Sequence, residues 1–516
     1  MTTFASLEQE QSTGRLTMFD RLIFKGHLND LYVPGNFSWF LRTQGVLLKA
    51  YRAYAQKVTG EIQAHAAALA ADAGRPNRYL AGGYTAARGQ SKEALAREIA
   101  EQDGITEGLV CVLRALEVNT VFSVRGNRAS QQLEVVREPR RCLHIYFYYL
   151  DAEFGLLHIR LQTWFPFGVQ IYINGREWLA RQLTARGISY QQYDNCLLQV
   201  DDLETAQQLS EQFAHREWAA VLQALARRVN PVLATVEAAG YQLYYWCTQQ
   251  CEIATDVMFP TQATLATYVP ELYQQAWQTF GARDVLQFLG RKLHGNYLAE
   301  VTSDVKQRPT GWRIKHRTKG NSIKMYDKLS VLRVETTINN AGEFKVSRTA
   351  ADGSRRWQRM GKGVANLWRC YQIGEQANRR YLQAVAALPL QSEGIQALDT
   401  LCRPRIKHGK RYARFNPVAP ETAHLFAAVL TGEYCIAGFR NRDLQAQLYA
   451  HAPTSKAEAR RRCARVSRLI AKLRGHGLIT KVKDARLYRV SAAGRRLMIA
   501  ALHYRLSDFP QAFCSI

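Results

Sequence analysis

The 516-residue sequence lacks any segment suited to crossing a membrane. A membrane-spanning helix needs about 20 predominantly apolar residues in a row, and every stretch of this chain is interrupted well before that length. The opening stretch, MTTFASLEQEQSTGRLT, is polar and carries two glutamates, so it has no apolar centre of the kind that a signal peptide requires. We therefore expect a soluble chain with no membrane partner.

The sequence also lacks the paired cysteines of a zinc site or a disulfide framework. Its ten cysteines are scattered, and only Cys247 and Cys251 lie close together, with no second pair at zinc-finger spacing. Scattered thiols are typical of proteins in a reducing compartment. The expected location is the cytoplasm.

Acidic residues are scarce relative to basic ones. The chain has 43 Asp and Glu against 69 Lys and Arg, a formal net charge of +26, and its isoelectric point is about 9.8. A surplus of this size indicates a polyanionic partner and does not indicate a particular fold. Nucleic acid is the expected partner, with DNA first and RNA as the alternative.

The helical and strand-like patterns predict an α+β protein with four regions. Residues 1–117 are expected to be mainly helical. Residues 118–402, rich in aromatic and β-branched segments such as LHIYFYYL, are expected to form a mixed α+β central body. Residues 403–420, RPRIKHGKRYARFNPVAP, are basic and contain prolines, which indicates a linker before a C-terminal domain at 421–516.

Residues 421–505 show the clearest pattern. Two short helices precede a long helix from about Lys456 to Arg474, whose apolar residues recur at helical spacing and form one stripe. A two-stranded hairpin, LITKVKDARLYRV, and a final helix complete the region. Twelve Lys and Arg lie between Lys456 and Arg489, against two acids. The cations beside the apolar stripe of the long helix are Arg461, Arg465, Arg468 and Lys472.

The segment LIAKLRGHGLITKVKDARLYRVSAAGRRLM resembles the recognition helix, wing and final helix of winged-helix DNA-binding domains. The resemblance implies that Arg461, Arg465 and Arg468 face the major groove or its phosphates. It also implies that the wing carries Lys481, Lys483 and Arg486. The alternative is a winged helix that docks onto protein and has a solvated basic helix.

Residues 311–339, GWRIKHRTKGNSIKMYDKLSVLRVETTIN, hold the densest polar cluster of the central body. Alternation predicts a hairpin of WRIKHR and SIKMYDK that turns at TKGN, followed by a strand in VLRVETTIN. If the apolar faces of these strands share one core, their polar faces meet. The residues expected there are Lys324, Tyr326, Lys328, Arg333 and Glu335, and the first strand adds Arg313, Lys315 and Arg317 as phosphate contacts.

A tyrosine among cations is a candidate phosphoryl acceptor, since cations favour the phenolate and bind the phosphate that it attacks. The order Tyr-Asp-Lys followed by Leu-Arg-Val-Glu resembles elements of rolling-circle replication initiators from small plasmids and filamentous phages. The resemblance implies a protein of DNA-replication or mobile-element type that nicks one DNA strand. Tyr326 would be its nucleophile, and Glu335 would be a ligand of a divalent metal, Mg²⁺ or Mn²⁺. The chain departs from that family in lacking a His-hydrophobic-His metal motif, because His144 and His158 stand alone in separate strands.

Two other functions fit the same residues. An RNase-H-like nuclease or transposase needs two or three carboxylates around divalent metals, and Asp151, Asp256 and Glu335 each lie in or beside a predicted strand. Alternatively, the hairpin holds phosphates without chemistry, and the chain is a non-enzymatic DNA- or RNA-binding regulator or accessory factor. Spacing alone does not choose among nicking, hydrolysis and binding.

Overall fold

One large β-sheet and many helices make up the fold, so the chain belongs to the predicted α+β class. This computed structural model describes residues 12–80, 91–266, 269–291, 300–308, 311–349, 353–386, 396–407, 409–482 and 485–508. Within those ranges, every helix is too short or too polar to cross a membrane.

The described strands form one sheet of eleven strands and four small hairpins. They are β1 Gly14–His27, β2 Asn77–Tyr79, β3 Gly108–Asn127, β4 Gln132–Asp151, β5 Gly155–Gln162, β6 Val169–Asn174, β7 Tyr190–Tyr193, β8 Cys196–Val200, β9 Tyr245–Met258, β10 Thr302–Arg308, β11 Gly311–Thr318, β12 Asn321–Lys328, β13 Val331–Ile338, β14 Lys345–Thr349, β15 Arg355–Arg359, β16 Arg405–Lys407, β17 Lys410–Tyr412, β18 Ile479–Lys481 and β19 Tyr488–Val490.

The large sheet consists of two halves of five strands with the same strand order, and the short strand β2 is added parallel to β3 at one edge. Its order is β10-β11-β12-β13-β9-β1-β6-β5-β4-β3-β2. Each half starts with a long strand, β1 or β9, and later adds four antiparallel strands, the last of which pairs with that long strand. Because β1 and β9 also pair antiparallel with each other, the two halves are topological copies that meet at the centre of the sheet.

Seventeen α-helices are described. They are α1 Pro34–Thr43, α2 Tyr51–Asp72, α3 Lys92–Gln102, α4 Gly175–Ala185, α5 Leu203–Ala214, α6 Trp218–Val229, α7 Val232–Ala238, α8 Gln262–Ala266, α9 Val269–Thr279, α10 Ala282–Phe288, α11 Leu367–Val385, α12 Gln396–Cys402, α13 Pro420–Val429, α14 Gly432–Ala437, α15 Asn441–Leu448, α16 Lys456–Gly475 and α17 Ala492–His503.

Strand β13 lies where the sheet is covered on both sides, and all eight of its residues are buried. On one side it packs against α11, where the Thr336 hydroxyl donates to the Asn378 side-chain oxygen at 2.7 Å. Its opposite side carries Arg333 and Glu335. Charged side chains are therefore held inside the protein on that side, where each must be paired.

The buried hydrophobic residues form one large core that runs from Leu16 to Val385, a small cluster between Leu80 and Leu156, and a separate core from Leu401 to Ala501. The first core corrects the predicted boundary at 117/118, which falls inside β3. The region 1–117 is not a separate helical unit, because β1 is a central strand of the sheet. Hydrophobic periodicity shows local structure but not which strands pair across long distances.

The segment 403–420 is also not a free linker. It contains the β16–β17 hairpin, which packs against α16, and Phe415 lies in the second core. Tyr412 packs on the end of α16 at Gly475, where a Cβ atom would lie 2.3 Å from the tyrosine ring. The C-terminal unit therefore begins before residue 403.

The C-terminal unit follows the predicted order of helices and hairpin. Helices α13, α15 and α16 precede the β18–β19 hairpin and α17. Phe439 forms an isolated antiparallel bridge with Tyr488 of β19, which adds a third, very short strand to the hairpin. Ser455 and Ser491 cap α16 and α17 by accepting backbone hydrogen bonds, which fixes where both helices begin.

Candidate active site

Strands β12 and β13 place the predicted polar residues side by side. In the pairing register Lys324 lies opposite Glu335, and Tyr326 lies opposite Arg333. The turn between β11 and β12 falls within the predicted TKGN segment, with Lys319 and Gly320 both at positive φ. The sequence prediction that these polar faces meet is therefore confirmed.

Arg333 is fully buried and forms an ion pair with Asp256, which is also fully buried. The Arg333 Nε and Nη2 atoms donate to Asp256 at 2.5 and 2.9 Å, and Nη1 donates to Asp20 at 3.0 Å. Burial alone would lower the pKa of Arg333, but Asp256 raises it well above its ordinary value. These two residues, predicted as a phosphate contact and a metal ligand, instead neutralise each other and orient Asp20.

A carboxylate cluster lies next to this ion pair. Single carboxylate oxygens of Asp20, Glu252 and Glu335 all lie within 4.8 Å of one another. A β-bulge produces this arrangement, since Asp20 and Arg21 of β1 together oppose Glu252 of β9. Oxygen-rich clusters of this kind suit hard divalent cations such as Mg²⁺ and Mn²⁺.

Sequence reasoning missed Asp20 and Glu252. The signal for Asp20 is an acid within the apolar run LTMFDRLIF, where a buried strand would otherwise have no charge. Glu252 has no comparable signal, because it lies in the polar stretch QQCEI.

Glu335 connects the cluster to Tyr326. The Tyr326 hydroxyl donates to Glu335 Oε2 at 3.1 Å, and Lys324 Nζ lies 2.6 Å from Oε1 as an ion pair, although Oε1 accepts no hydrogen bond of good geometry. Burial raises the pKa of Glu335 to about 7, against the opposing effect of Lys324. Glu335 can therefore accept and release a proton near neutral pH.

Tyr326 is half-buried, and its pKa is raised, whereas the sequence analysis expected neighbouring cations to favour the phenolate. Burial raises the pKa well above the ordinary value, Arg333 offsets part of that rise, and Glu335 adds to it. The nearby cations therefore do not produce a phenolate in the resting protein. Any reaction at this hydroxyl needs a base, and Glu335 is the carboxylate in contact with it.

The β7–β8 hairpin covers the cluster from above β12. Asn195, at the tip of that hairpin, donates to the Tyr326 hydroxyl at 2.6 Å and accepts from Lys328 Nζ at 3.0 Å. Asp194 forms an ion pair with Lys328. The hairpin therefore holds the side chains of Tyr326 and Lys328 in place. The sequence analysis did not assign this hairpin a role.

Two cavities open at this cluster. A cavity of about 590 Å³ is lined by the three carboxylates and by Arg176, and one of about 240 Å³ is lined by Tyr326 and Arg313. Lys324 and Asn195 line both cavities, so they form the wall between them. Tyr326 is thus reached from one side and the carboxylates from the other.

Asp151 does not join the cluster. It ends β4, five strands from β13 in the sheet, and its side chain accepts from the backbone N–H groups of Glu153 and Phe154. This is the turn-capping role that is common for aspartate. The set Asp151, Asp256 and Glu335 therefore does not converge on a metal site.

Two of the three cations predicted on β11 are paired with an acidic residue. Arg313 and Arg317 both form ion pairs with Asp304 of β10, although Arg313 also lines the smaller cavity. Lys315 lies opposite Lys324, and burial, together with that neighbouring charge, lowers its pKa. Of the three predicted phosphate contacts, Arg313 lines the smaller of the two cavities at the cluster.

The C-terminal cations are mostly exposed. On α16 the exposed set is Lys456, Arg460, Arg461, Arg465, Arg468 and Arg474, and on the hairpin it includes Lys481 and Arg486. Lys472 differs, because it lies 3.9 Å from the centre of the Phe415 ring and burial lowers its pKa. The predicted contact Lys483 lies outside the described residues.

No family model, curated protein or solved structure matches this chain.

Proposed function

We propose that the chain is a nucleic-acid-binding protein that nicks one strand by metal-dependent transesterification at Tyr326, with DNA as the expected substrate. The observation that carries this proposal is the contact of the Tyr326 hydroxyl with Glu335, itself one of three converging carboxylates. A tyrosine used only for packing would not need a hydrogen bond to a carboxylate of such a cluster. Because its expected substrate lies inside the cell, we propose the cytoplasm as its location.

Asp20, Glu252 and Glu335 would hold the divalent cation. Their donor set is all oxygen, which is the ligand type that a hard divalent cation prefers. A bound Mg²⁺ or Mn²⁺ would stabilise negative charge that develops on the phosphate oxygens. Arg333 holds Asp20 in place and does not contact substrate.

The protein residues would carry the rest of the reaction. The Tyr326 oxygen forms a bond to phosphorus, the bond to one nucleoside oxygen breaks, and the Tyr326 proton passes through Glu335 Oε2 to solvent, so that Glu335 is again a carboxylate. The expelled oxygen takes a proton from solvent. Lys324, on the wall between the cavities, offsets the charge of the phosphate in the transition state.

Glu252→Gln is expected to lower the rate of plasmid nicking by more than about a hundredfold, because it removes one metal ligand while keeping the shape of the side chain. The assay is conversion of supercoiled plasmid to open circles by the full chain, with and without Mg²⁺ or Mn²⁺. Glu237→Gln is the matched control, since Glu237 is exposed and pairs only with Arg227 on the surface.

Metal binding by the same proteins gives a second readout. Because Glu335 has a pKa of about 7, protons compete with the cation below that pH, and Mn²⁺ affinity should rise as pH increases through it. If wild-type protein binds Mn²⁺ no better than Glu252→Gln and nicks no plasmid, the nicking proposal is wrong. The chain would then bind nucleic acid without cleaving it.

We also propose that the C-terminal unit is a winged helix that binds the phosphate backbone. Its element order, the short third strand at Phe439 and the exposed arginines of α16 support this proposal. The β16–β17 hairpin beside α16 adds four exposed cations to the same unit, namely Arg405, Lys407, Lys410 and Arg411.

Full-length protein is expected to lose about a thousandfold or more in duplex affinity between about 50 and 200 mM salt. Replacing Arg461, Arg465 and Arg468 together by Ala should reduce the slope of log affinity against log salt by about 3, if each contacts one phosphate. Fluorescence anisotropy measures both.

Arg462→Ala is the control on the same helix, because Arg462 already pairs with Glu458 and lies over the Tyr449 ring. If the triple variant and this control show the same salt dependence, α16 is not the binding surface.

A further inference from the structure

Arg176 is a buried guanidinium with unused hydrogen-bond donors. Only 6% of the residue is exposed, and neither Nε nor Nη1 has a hydrogen-bond partner among the described residues. Leaving a buried charged donor unpaired is costly, more so than for a neutral group. An arginine kept in this state indicates a ligand that completes its hydrogen bonds.

The neighbouring carboxylates do not supply those bonds. Glu177 Oε1 lies 3.9 Å from Arg176 Nη2, and the same oxygen accepts from Arg97 at 3.1 Å, while Oε2 accepts from the Leu156 backbone. Asp194 is paired with Lys328. The other cations of the cavity are in contact as well, with Lys324 on Glu335 and Arg21 over the Tyr172 ring. Among the described residues, Arg176 is thus the buried cation of this cavity, and two of its donor atoms have no hydrogen-bond partner.

Helix α4 fixes the position of Arg176. It is the second residue of the helix, and Asn174 caps the helix by accepting from the backbone N–H groups of Arg176 and Glu177. The helix start therefore holds the backbone rigidly, and the side chain lines the 590 Å³ cavity together with Asp20, Glu252 and Glu335. A ligand held by Arg176 would lie in the same cavity as the carboxylate cluster.

The charges of the cavity indicate when an anion can enter. Six carboxylates and four cationic side chains line it, so the lining is negative by two charges when all are ionised. One divalent cation at the cluster would neutralise the lining. An anion then binds more tightly at Arg176, whereas without the cation the surrounding carboxylates weaken its binding.

We propose that Arg176 binds a phosphate group of the substrate strand, and that this binding is coupled to the divalent cation at Asp20, Glu252 and Glu335. The proposal rests on the proposed function for the identity of the ligand, a nucleic-acid phosphate. Guanidinium groups suit this ligand because their planar N–H donors match phosphate oxygens. By linkage, bound phosphate tightens cation binding by the same factor as the cation tightens phosphate binding.

The test uses the full chain, inorganic phosphate and Mn²⁺. Phosphorus-31 relaxation of phosphate should increase in wild-type protein loaded with Mn²⁺, since the two ligands share one cavity. Arg176→Met should bind Mn²⁺ at least as tightly as wild type in the absence of phosphate, but phosphate affinity should fall about tenfold or more, as expected for losing a charge-assisted hydrogen bond. Arg186→Gln is the control, because Arg186 is exposed at the end of the same helix and bonds only to Gln182.

Thermal unfolding without metal or phosphate separates a binding role from a structural one. Removing a buried, unpaired charge should raise the melting temperature of Arg176→Met, and phosphate added without metal should stabilise this variant less than wild type. A lower melting temperature, or phosphate effects equal to those of wild type, overturns the proposal. If Mn²⁺ binds no variant, the metal-dependent function fails, and the phosphate titration without metal still decides whether Arg176 binds the anion.

Discussion

Tyr326→Phe is expected to abolish strand nicking and the covalent protein–DNA product while leaving DNA affinity within about twofold of wild type. The substitution deletes one oxygen and keeps the ring, so the strand packing is retained. Asn195 loses one partner but keeps its contact with Lys328, which limits the cost to about 1 kcal/mol for one hydrogen bond. The loss of nucleophile, in contrast, is complete.

The measurement is gel analysis of plasmid and of labelled protein after denaturation, which separates covalent from free protein. Tyr79→Phe is the matched control, since Tyr79 is half-exposed on the edge strand β2. If Tyr326→Phe nicks plasmid at the wild-type rate, the phosphotyrosine mechanism is wrong. Because Asp20, Glu252 and Glu335 would remain in place, water would then be the nucleophile at the same carboxylates.

The part of the site that lies in β12 and β13 could be predicted because it is local. Two strands joined by a short turn have a register that the turn sets, and alternation then decides which side chains share a face. Lys324, Tyr326 and Glu335 follow from this reasoning alone. The same reasoning did not predict that Arg333 and Glu335 are buried, because alternation is equally consistent with a polar face that meets solvent.

The rest of the site depends on contacts that are distant in the sequence. Asp20 reaches Glu335 because β1 pairs with β9 and β9 with β13, and the bulge beside Asp20 turns its carboxylate toward Glu252. Neither pairing partners nor bulges leave a reliable trace in hydrophobic periodicity. Asn195 and Arg176 were missed for the same reason, as each acts from an element that covers the sheet.

The architecture shows the same division between local and distant information. The helices and hairpin of the C-terminal unit were predicted in order, since helical periodicity and the hairpin pattern are local signals. The two-fold repeat of strand order in the large sheet was not predicted, because the halves share topology without a fixed sequence period. The linker prediction at 403–420 failed because a short basic hairpin resembles a linker in composition.

Arg333→Met is expected to destabilise the large unit by about 3–5 kcal/mol, because it leaves a buried carboxylate without its partner. Asp256 is fully buried and receives two hydrogen bonds from Arg333, and Asp20 receives a third. Methionine fills much of the same volume, so the loss comes mainly from charge and not from a cavity. Tryptophan fluorescence during urea unfolding measures it cleanly, since all nine tryptophans precede residue 386 and the C-terminal unit has none.

The double variant Arg333→Met with Asp256→Asn distinguishes a lost attraction from an uncompensated charge. If the buried charge is the main cost, the double variant should be more stable than Arg333→Met alone, because asparagine can keep the hydrogen bond from the Leu197 backbone without a charge. Additive losses would contradict this account and would mean that the pair contributes net attraction of its own. In either case nicking by the double variant should stay low, since Asp20 no longer has the guanidinium that holds it in the carboxylate cluster.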